Sequence, residues 1–282
     1  MSFYRLKSNA KINLSLNVLG KKKNKLHRIE TLVTFASLHD EILIKCINKK
    51  NHLVNFSGRF SKNIKKKNTI TKLLEILDKK KLLKNKKYFI RVKKNIPQMS
   101  GMGGGSMNAA TIINYLIHKH KIKISLNEKY EICKKIGSDV ILGLDKKISV
   151  FNGNKKIFKF KNKIKLNLII VKPNFGCSTK FIYKKIKSYS KPVFTNYPKS
   201  MLDVSNLTNL KNDLELVAFK KYPILLNIKK NLLKLPGIEF ARMTGSGSSI
   251  VGFFITKKTA LNGMKKIKKK YKNYWCILSR TI

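Results

Sequence analysis

The chain has 282 residues, 43% of them apolar, and its 63 basic against 13 acidic side chains give a formal net charge of +50 at pH 7. That length and apolar content allow a sizeable core and suggest two domains, at roughly 150 residues each. No run approaches the ~20 continuous apolar residues that cross a bilayer. The opening MSFYRLKSNAKINL lacks both the apolar core of a signal peptide and the amphipathic character of a transit peptide. A cytoplasmic protein with no membrane partner is expected.

The charge invites a nucleic-acid reading, but its texture opposes one. Only Arg5, Arg28, Arg59, Arg91, Arg242 and Arg280 are arginines, and base readout favours the bidentate guanidinium. The lysines are spread among Asn and Ile, as in KNIKKKN at 62–68, a pattern of compositional drift. No nucleic-acid partner is expected, although a positive field still attracts a polyanionic substrate. Cys46, Cys133, Cys177 and Cys276 are scattered without a CxxC pair, so they are read as reduced, packed thiols rather than a zinc or disulfide framework.

In chain order, residues 11–19 alternate, with Ile12, Leu14, Leu16 and Val18 on one face and Lys11, Asn13, Ser15 and Asn17 on the other. This predicts a half-buried strand. Strands are predicted over 29–37 and 41–47, then a helix capped by Asn68 with Ile70, Leu73, Leu74 and Leu77 as its apolar stripe. A strand at 88–93 ends at Pro97. SGMGGGSMNAA follows, leading into helical spacing at Ala109, Ile112, Ile113, Leu116 and Ile117. Ser125 and Glu128 form a capping box for a further helix that Gly137 can end.

Beyond residue 155 come a strand at 166–172, a helical face of Leu225, Ile228, Leu232 and Leu235, and a strand before Thr244. The turn TGSGSS, a strand at 250–255, a lysine-rich helix and a strand near Trp275 complete the chain. Helices and strands mix without regular alternation, which predicts an α+β fold in two domains, 1–155 and 156–282.

Gly101, Gly103, Gly104 and Gly105 stand between a strand and a helix entered at about Ser106. Missing side chains let backbone N–H groups approach an anion, and the helix start adds unsatisfied donors and the positive dipole end. The loop is therefore read as a phosphate cradle, with Ser106 able to reach a phosphate or a metal ion. It matches neither the Walker A pattern nor the dinucleotide fingerprint.

The segments AKINLSL at 10–16, IPQMSGMGGGSMNAA at 96–110, IGSDV at 136–140, NDLE at 212–215 and ARMTGSGSSIVGFF at 241–254 occur in this order. In them the chain resembles the GHMP kinases, and most closely the branch acting on a cytidine diphosphate-linked methylerythritol. The resemblance implies a two-domain fold with an active-site cleft between the domains. It also implies transfer of the ATP γ-phosphoryl group, with Mg²⁺, to the 2-hydroxyl of that substrate, by a monomer or weak homodimer.

By the same resemblance, Asp139 takes the proton of the attacking hydroxyl and Lys11 sits beside it as a second catalytic residue. Pro97, Gln98, Met99, Ser100, Gly101, Met102, Gly103, Gly104, Gly105, Ser106 and Met107 bind ATP, with Ser106 also at the metal. Asn13, His27, Thr179 and Tyr183 bind the acceptor, His27 and Tyr183 at its cytosine. Without the resemblance, Asp139 reads as a turn residue, His27 as surface and Tyr183 as core. Several positions depart from the pattern: Met99 and Ser100 where glycine is usual, Met107 for a second serine, Leu26 for a tyrosine, Ile141 for a proline, and a glycine stretch reduced to Gly143 and Gly153. The rival readings are another small-molecule kinase of the superfamily, acting on mevalonate, homoserine or a sugar, and a lysine-rich nucleic-acid-binding protein.

Overall fold

The computed structural model describes residues 2–21, 26–152, 157–161, 164–194 and 198–282. The domain boundary expected at 155/156, and Gly153, lie outside them. The chain opens with β1 (Tyr4–Asn13), β2 (Asn17–Lys21) and β3 (His27–Ile47), followed by β4 (Leu53–Ser57), α1 (Thr69–Lys79), β5 (Lys87–Lys93), α2 (Gly104–Lys119) and α3 (Leu126–Ile136). Then come β6 (Ser149–Phe151), β7 (Ile157–Lys159), β8 (Asn167–Lys172), α4 (Thr179–Lys184), α5 (Val204–Asn209), α6 (Leu214–Lys221) and α7 (Pro223–Leu233). The last elements are β9 (Ile238–Met243), β10 (Ile250–Phe254), α8 (Lys257–Lys270) and β11 (Trp275–Arg280). The mixture is the expected α+β class.

The chain forms two compact units that interleave in sequence. The first takes residues up to Ala10, Leu38–Gln98 and Gly103–Lys146; the second takes Lys11–Ser37, Met99–Met102 and Lys147–Ile282. In the first, β5 pairs antiparallel with the later half of β3 (Glu41 opposite Lys93) and parallel with β4 (Leu53 opposite Phe89). Ile42, Ile44, Ile90 and Val92 supply its buried strand positions. Helix α1 packs on α2 and α3 and buries the predicted Ile70, Leu73, Leu74 and Leu77. Its cap is also as predicted, since Asn68 Oδ1 accepts from the N–H groups of Ile70 and Thr71.

The second unit is built on the antiparallel sheet β11-β8-β10-β9. Helices α7 and α8 pack on that sheet. Leu225, Ile228, Leu232, Ala260, Met264 and Ile267 from the helices share one core with Ile169, Val171 and Phe254. Arg242 in β9 is 4% exposed, and its guanidinium donates to the carbonyls of Leu14, Leu207, Thr208 and Leu210. Burial lowers its pKa to about 10, partly opposed by Glu215. The four cysteines are free thiols, Cys133 and Cys177 buried and the other two half-buried.

Two strand expectations need correction. The strand predicted over 11–19 breaks at Leu14–Ser15, and its polar face is as buried as its apolar one, with Lys11, Asn13, Ser15 and Asn17 all at or below 2% exposure. Those polar groups enter because hydrogen bonds satisfy them, Asn17 Oδ1 excepted. The segments 29–37 and 41–47 are one continuous strand, since Leu38–Asp40 stays extended. Smaller shifts occur at α2, which starts at Gly104 rather than Ser106, and at α7, which ends before Leu235.

Candidate active site

In the second unit the two glycine-rich segments dock against each other. Gly101 has φ +76°, and a Cβ there would stand 1.9 Å from the Thr244 carbonyl oxygen. Gly245, at φ +54°, would bring a Cβ to 2.7 Å from the Gly101 carbonyl oxygen. Only glycine fits either position. The Ser248 and Ser249 N–H groups donate to the carbonyls of Met99 and Ser100, both at 3.3 Å. Met99 itself is left-handed (φ 49°), which explains why glycine would be expected there. Its Cβ would lie 2.3 Å from one added to Gly176, so residue 176 has no room for a side chain.

Lys11 and Asn13 sit at the end of β1 beside these turns. The Lys11 N–H donates to the Met102 carbonyl at 3.1 Å. Its Nζ donates to Asn13 Oδ1 at 2.8 Å, and Asn13 Nδ2 donates to Thr31 Oγ1 at 2.8 Å. The Thr244 hydroxyl accepts from the Asn13 N–H at 3.1 Å, and its proton is shared between Asn13 Oδ1 at 3.2 Å and the Gly101 carbonyl at 3.3 Å.

The same unit brings His27 and Tyr183 together, 156 residues apart in sequence, with ring centroids at 5.1 Å and planes 37° apart. Partial burial, with a smaller push from Lys21, holds the His27 pKa below its ordinary value. The ring is therefore neutral at pH 7 and offers one donor and one acceptor. Thr179, at the start of the helix that carries Tyr183, shares a 2.8 Å hydroxyl–hydroxyl hydrogen bond with Ser246 of the second turn. Leu26, where a tyrosine would be usual, is 63% exposed.

The first unit holds Pro97, Gln98, Gly103–Met107 and Asp139. Gly103 caps α2 at φ 65° with no side-chain hydrogen bond, so the helix start keeps backbone donors for an anion. A Cβ on Gly104 would meet Ile96 at 3.1 Å and Lys94 Nζ at 3.2 Å, and one on exposed Gly105 would meet only Thr69, at 3.3 Å. Gln98 Nε2 holds the carbonyls of Phe60 and Lys62 at 3.0 and 2.7 Å. The Met107 thioether is buried and fills the space beside Gly143, so it lines core rather than surface. A Cβ on Gly137 would lie 3.7 Å from Ser106 Oγ, which sets the metal-candidate hydroxyl against the turn carrying half-buried Asp139.

Sequence reading missed two supports of these segments. Asp40, fully buried, accepts from Lys94 Nζ, from the N–H groups of Asn95 and Ile96 at 2.8 Å, and from Asn108 Nδ2 at 3.0 Å. It thereby ties the residues before the glycine-rich stretch to the helix after it. Thr244 is the other. Its only signal was its place immediately before GSGSS.

The residues fit a phosphate-bearing ligand: exposed Gly105 puts no side chain over the α2 start, which presents backbone donors. The comparisons with known proteins agree. GHMP kinases N terminal domain matches residues 68–153, and GHMP kinases C terminal matches 199–273. A 4-diphosphocytidyl-2-C-methyl-D-erythritol kinase of Pelagibacter ubique (strain HTCC1062) is 54% identical over all of both chains. One of Clostridium botulinum (strain Langeland / NCTC 10281 / Type F) is 33% identical over 98% of this chain and 99% of its own. A crystal structure of 4-(cytidine 5'-diphospho)-2C-methyl-D-erythritol kinase shares the fold with TM-score 0.80 at 19% identity, covering 99% of this chain and 100% of that one. A homoserine kinase from Cytophaga hutchinsonii reaches 0.71 at 15% identity, covering 100% and 95%. The chain belongs to the GHMP kinases, in the 4-diphosphocytidyl-2-C-methyl-D-erythritol kinase family.

Proposed function

We propose that the protein transfers the γ-phosphoryl group of ATP to the 2-hydroxyl of 4-diphosphocytidyl-2-C-methyl-D-erythritol, a step toward isoprenoid precursors. The observation that carries this acceptor is the His27–Tyr183 ring pair. A neutral imidazole and a phenol ring at this spacing suit a flat base that both stacks and hydrogen-bonds, for which mevalonate, homoserine or a sugar has no use. The 54% identity to a kinase named for this substrate supports the same reading.

The chain's own residues supply positioning and charge. Phosphoryl transfer asks for little covalent help, so an aspartate that orients and deprotonates the alcohol and cations that neutralise the phosphoryl oxygens suffice. Asp139 takes the hydroxyl proton, and the Lys11 ammonium, held on Asn13, faces the developing negative charge. Asn13 retains one amide N–H for the acceptor, and Thr179 adds a hydroxyl beside Tyr183. The backbone between Met99 and Ser106 cradles the phosphates, and Pro97, Gln98 and Met107 hold its two ends. Bound ATP brings the transferable group, and Mg²⁺, for which Ser106 is the candidate ligand, neutralises its oxygens. On this reading the protein works in the cytoplasm as a monomer or weak homodimer, with two domains, 1–155 and 156–282, and no nucleic-acid or membrane partner. Among the described residues no helix is long and apolar enough to cross a membrane.

The test is incubation with ATP, Mg²⁺ and the cytidine diphosphate-linked acceptor, with ADP and phosphorylated product followed by mass spectrometry. Product must form with the wild type and fall about 10²–10⁴-fold in Asp139→Asn. Equal product from the variant removes Asp139 from the chemistry. No product, with mevalonate, homoserine and galactose consumed instead, overturns the acceptor.

A further inference from the structure

The segment NDLE at 212–215 matches the family but takes no part in the chemistry above. The geometry points to a positioning relay in which Asn212 and Glu215 fix the backbone on both sides of Thr244, whose hydroxyl orients Asn13 and through it the Lys11 ammonium.

Asn212, Thr244, Asn13 and Lys11 are buried, at 3%, 0%, 2% and 2% exposure, and Glu215 is half-buried. Asn212 Nδ2 donates to the carbonyls of Met243 and Gly245 at 2.7 and 2.8 Å, while its Oδ1 accepts from the Leu214 N–H at 3.0 Å. Both amide hydrogens thus grip carbonyls of the two residues on either side of Thr244. Glu215 Oε1 accepts the Met243 N–H at 2.7 Å, and its Oε2 is held by Lys229 at 2.6 Å. With three of its neighbours' backbone groups anchored, the Thr244 backbone is held beside Asn13.

The segment grips the other end of the relay as well. The Lys211 carbonyl accepts from the Leu16 N–H at 2.9 Å, the Asp213 N–H donates to the Leu16 carbonyl at 2.8 Å, and Asp213 Oδ2 accepts the Val18 N–H at 2.7 Å. These bonds seat the chain just after Asn13. Residues 211–215 therefore hold both the strand end that carries Lys11 and Asn13 and the turn that carries Thr244. A hydroxyl is required at the junction because one group must both accept from the Asn13 N–H and donate to Asn13 Oδ1 or the Gly101 carbonyl. Aspartate at 212 would turn two donor contacts into oxygen–oxygen repulsions at unchanged shape.

The proposal rests on the kinase reading for its rate effects, so its test includes a readout independent of activity. Thr244→Val, Thr244→Ser, Asn212→Asp and the double variant Thr244→Val/Asn212→Asp are compared with wild type for kcat, both KM values, thermal midpoint and hydrogen exchange at the Asn13 amide. Thr244→Val should lower kcat about tenfold with both KM values within about twofold, Thr244→Ser should recover to within about twofold, and Asn212→Asp should lower kcat about tenfold. In the double variant the losses should fall short of their product, as for members of one network. The Asn13 amide should exchange faster in Thr244→Val, having lost its acceptor, and at the wild-type rate in Thr244→Ser. Wild-type kcat in folded Thr244→Val, an equal loss in Thr244→Ser, or single losses that multiply would each overturn the relay. If Asn212→Asp does not fold, the two Thr244 variants decide alone. If the wild type is inert on every acceptor, the kinase reading fails, and Asn13 exchange still decides whether the relay exists.

Discussion

The two glycine-serine turns have nearly the same composition and opposite surroundings. From Ala241 to Ile250 every residue of the second is buried, and its glycines are there because backbone presses against backbone, as Gly245 does against Gly101. The first is graded: Ser100 and Met102 are buried, Gly101, Gly103 and Gly104 half-buried, and Met99 and Gly105 exposed, with Met99 at 59%. Glycine thus serves two purposes in this chain. In the second turn it permits close packing; toward the end of the first it leaves the α2 start uncovered by side chains. A glycine-rich motif alone does not say which purpose applies, and burial does.

The largest effect that would sharpen this contrast comes from below the first turn. Asp40→Ala leaves the Lys94 ammonium uncompensated among buried groups and should cost about 3–5 kcal/mol in chemical denaturation. It should also raise the KM for ATP, because the same carboxylate holds the backbone at Asn95 and Ile96. Next comes Gly101→Ala, whose Cβ would overlap the Thr244 carbonyl at 1.9 Å in a left-handed backbone. A loss of about 3 kcal/mol in unfolding, together with lower kcat, is expected. Gly105→Ala is the counterpart: its Cβ meets only the Thr69 hydroxyl at 3.3 Å, so stability should move by less than about 0.5 kcal/mol while the KM for ATP rises. Equal destabilisation by Gly101→Ala and Gly105→Ala would break the comparison.

The smallest effect is one of pH at the ring pair beside the second turn. The His27 pKa is lowered chiefly by burial, so its neutral form persists in the fold below the ordinary value of about 6.5. The unfolded chain takes up that proton first, so this contribution to stability is present at neutral pH and is lost as pH falls through 6.5 toward the lowered value. Protonation also removes the ring's acceptor nitrogen. The KM for the cytidine-bearing substrate should accordingly rise below that pH, and His27→Gln should flatten the dependence.

Local pattern carried the elements whose environment is local. The Asn68 cap of α1 and the Ser125 cap of α3 were legible because their partners lie within one turn, and the stripe of α1 because its spacing repeats within the helix. The polar face of 11–17 was misread for the opposite reason. Its covering groups are distant, Thr244 lying 231 residues from Asn13, and alternation by itself describes two faces without saying that both are buried. The Asp40–Lys94 pair, 54 residues apart, left no trace in spacing. The glycine-rich segment announced a phosphate by composition, whereas His27 and Tyr183 became meaningful only through the family resemblance, and the structure supplies the 5.1 Å that joins them.

The environment of Arg242 has a consequence for how such a chain can change. Lysine outnumbers arginine many times over here, so at most basic positions the chain is free to use an ammonium. At 242 that freedom ends. Four carbonyls from two separate segments converge on one planar fork, and an ammonium on a single stem cannot reach all of them at once. Arg242 therefore marks where stereochemistry overrides composition: its site counts hydrogen-bond directions rather than charge.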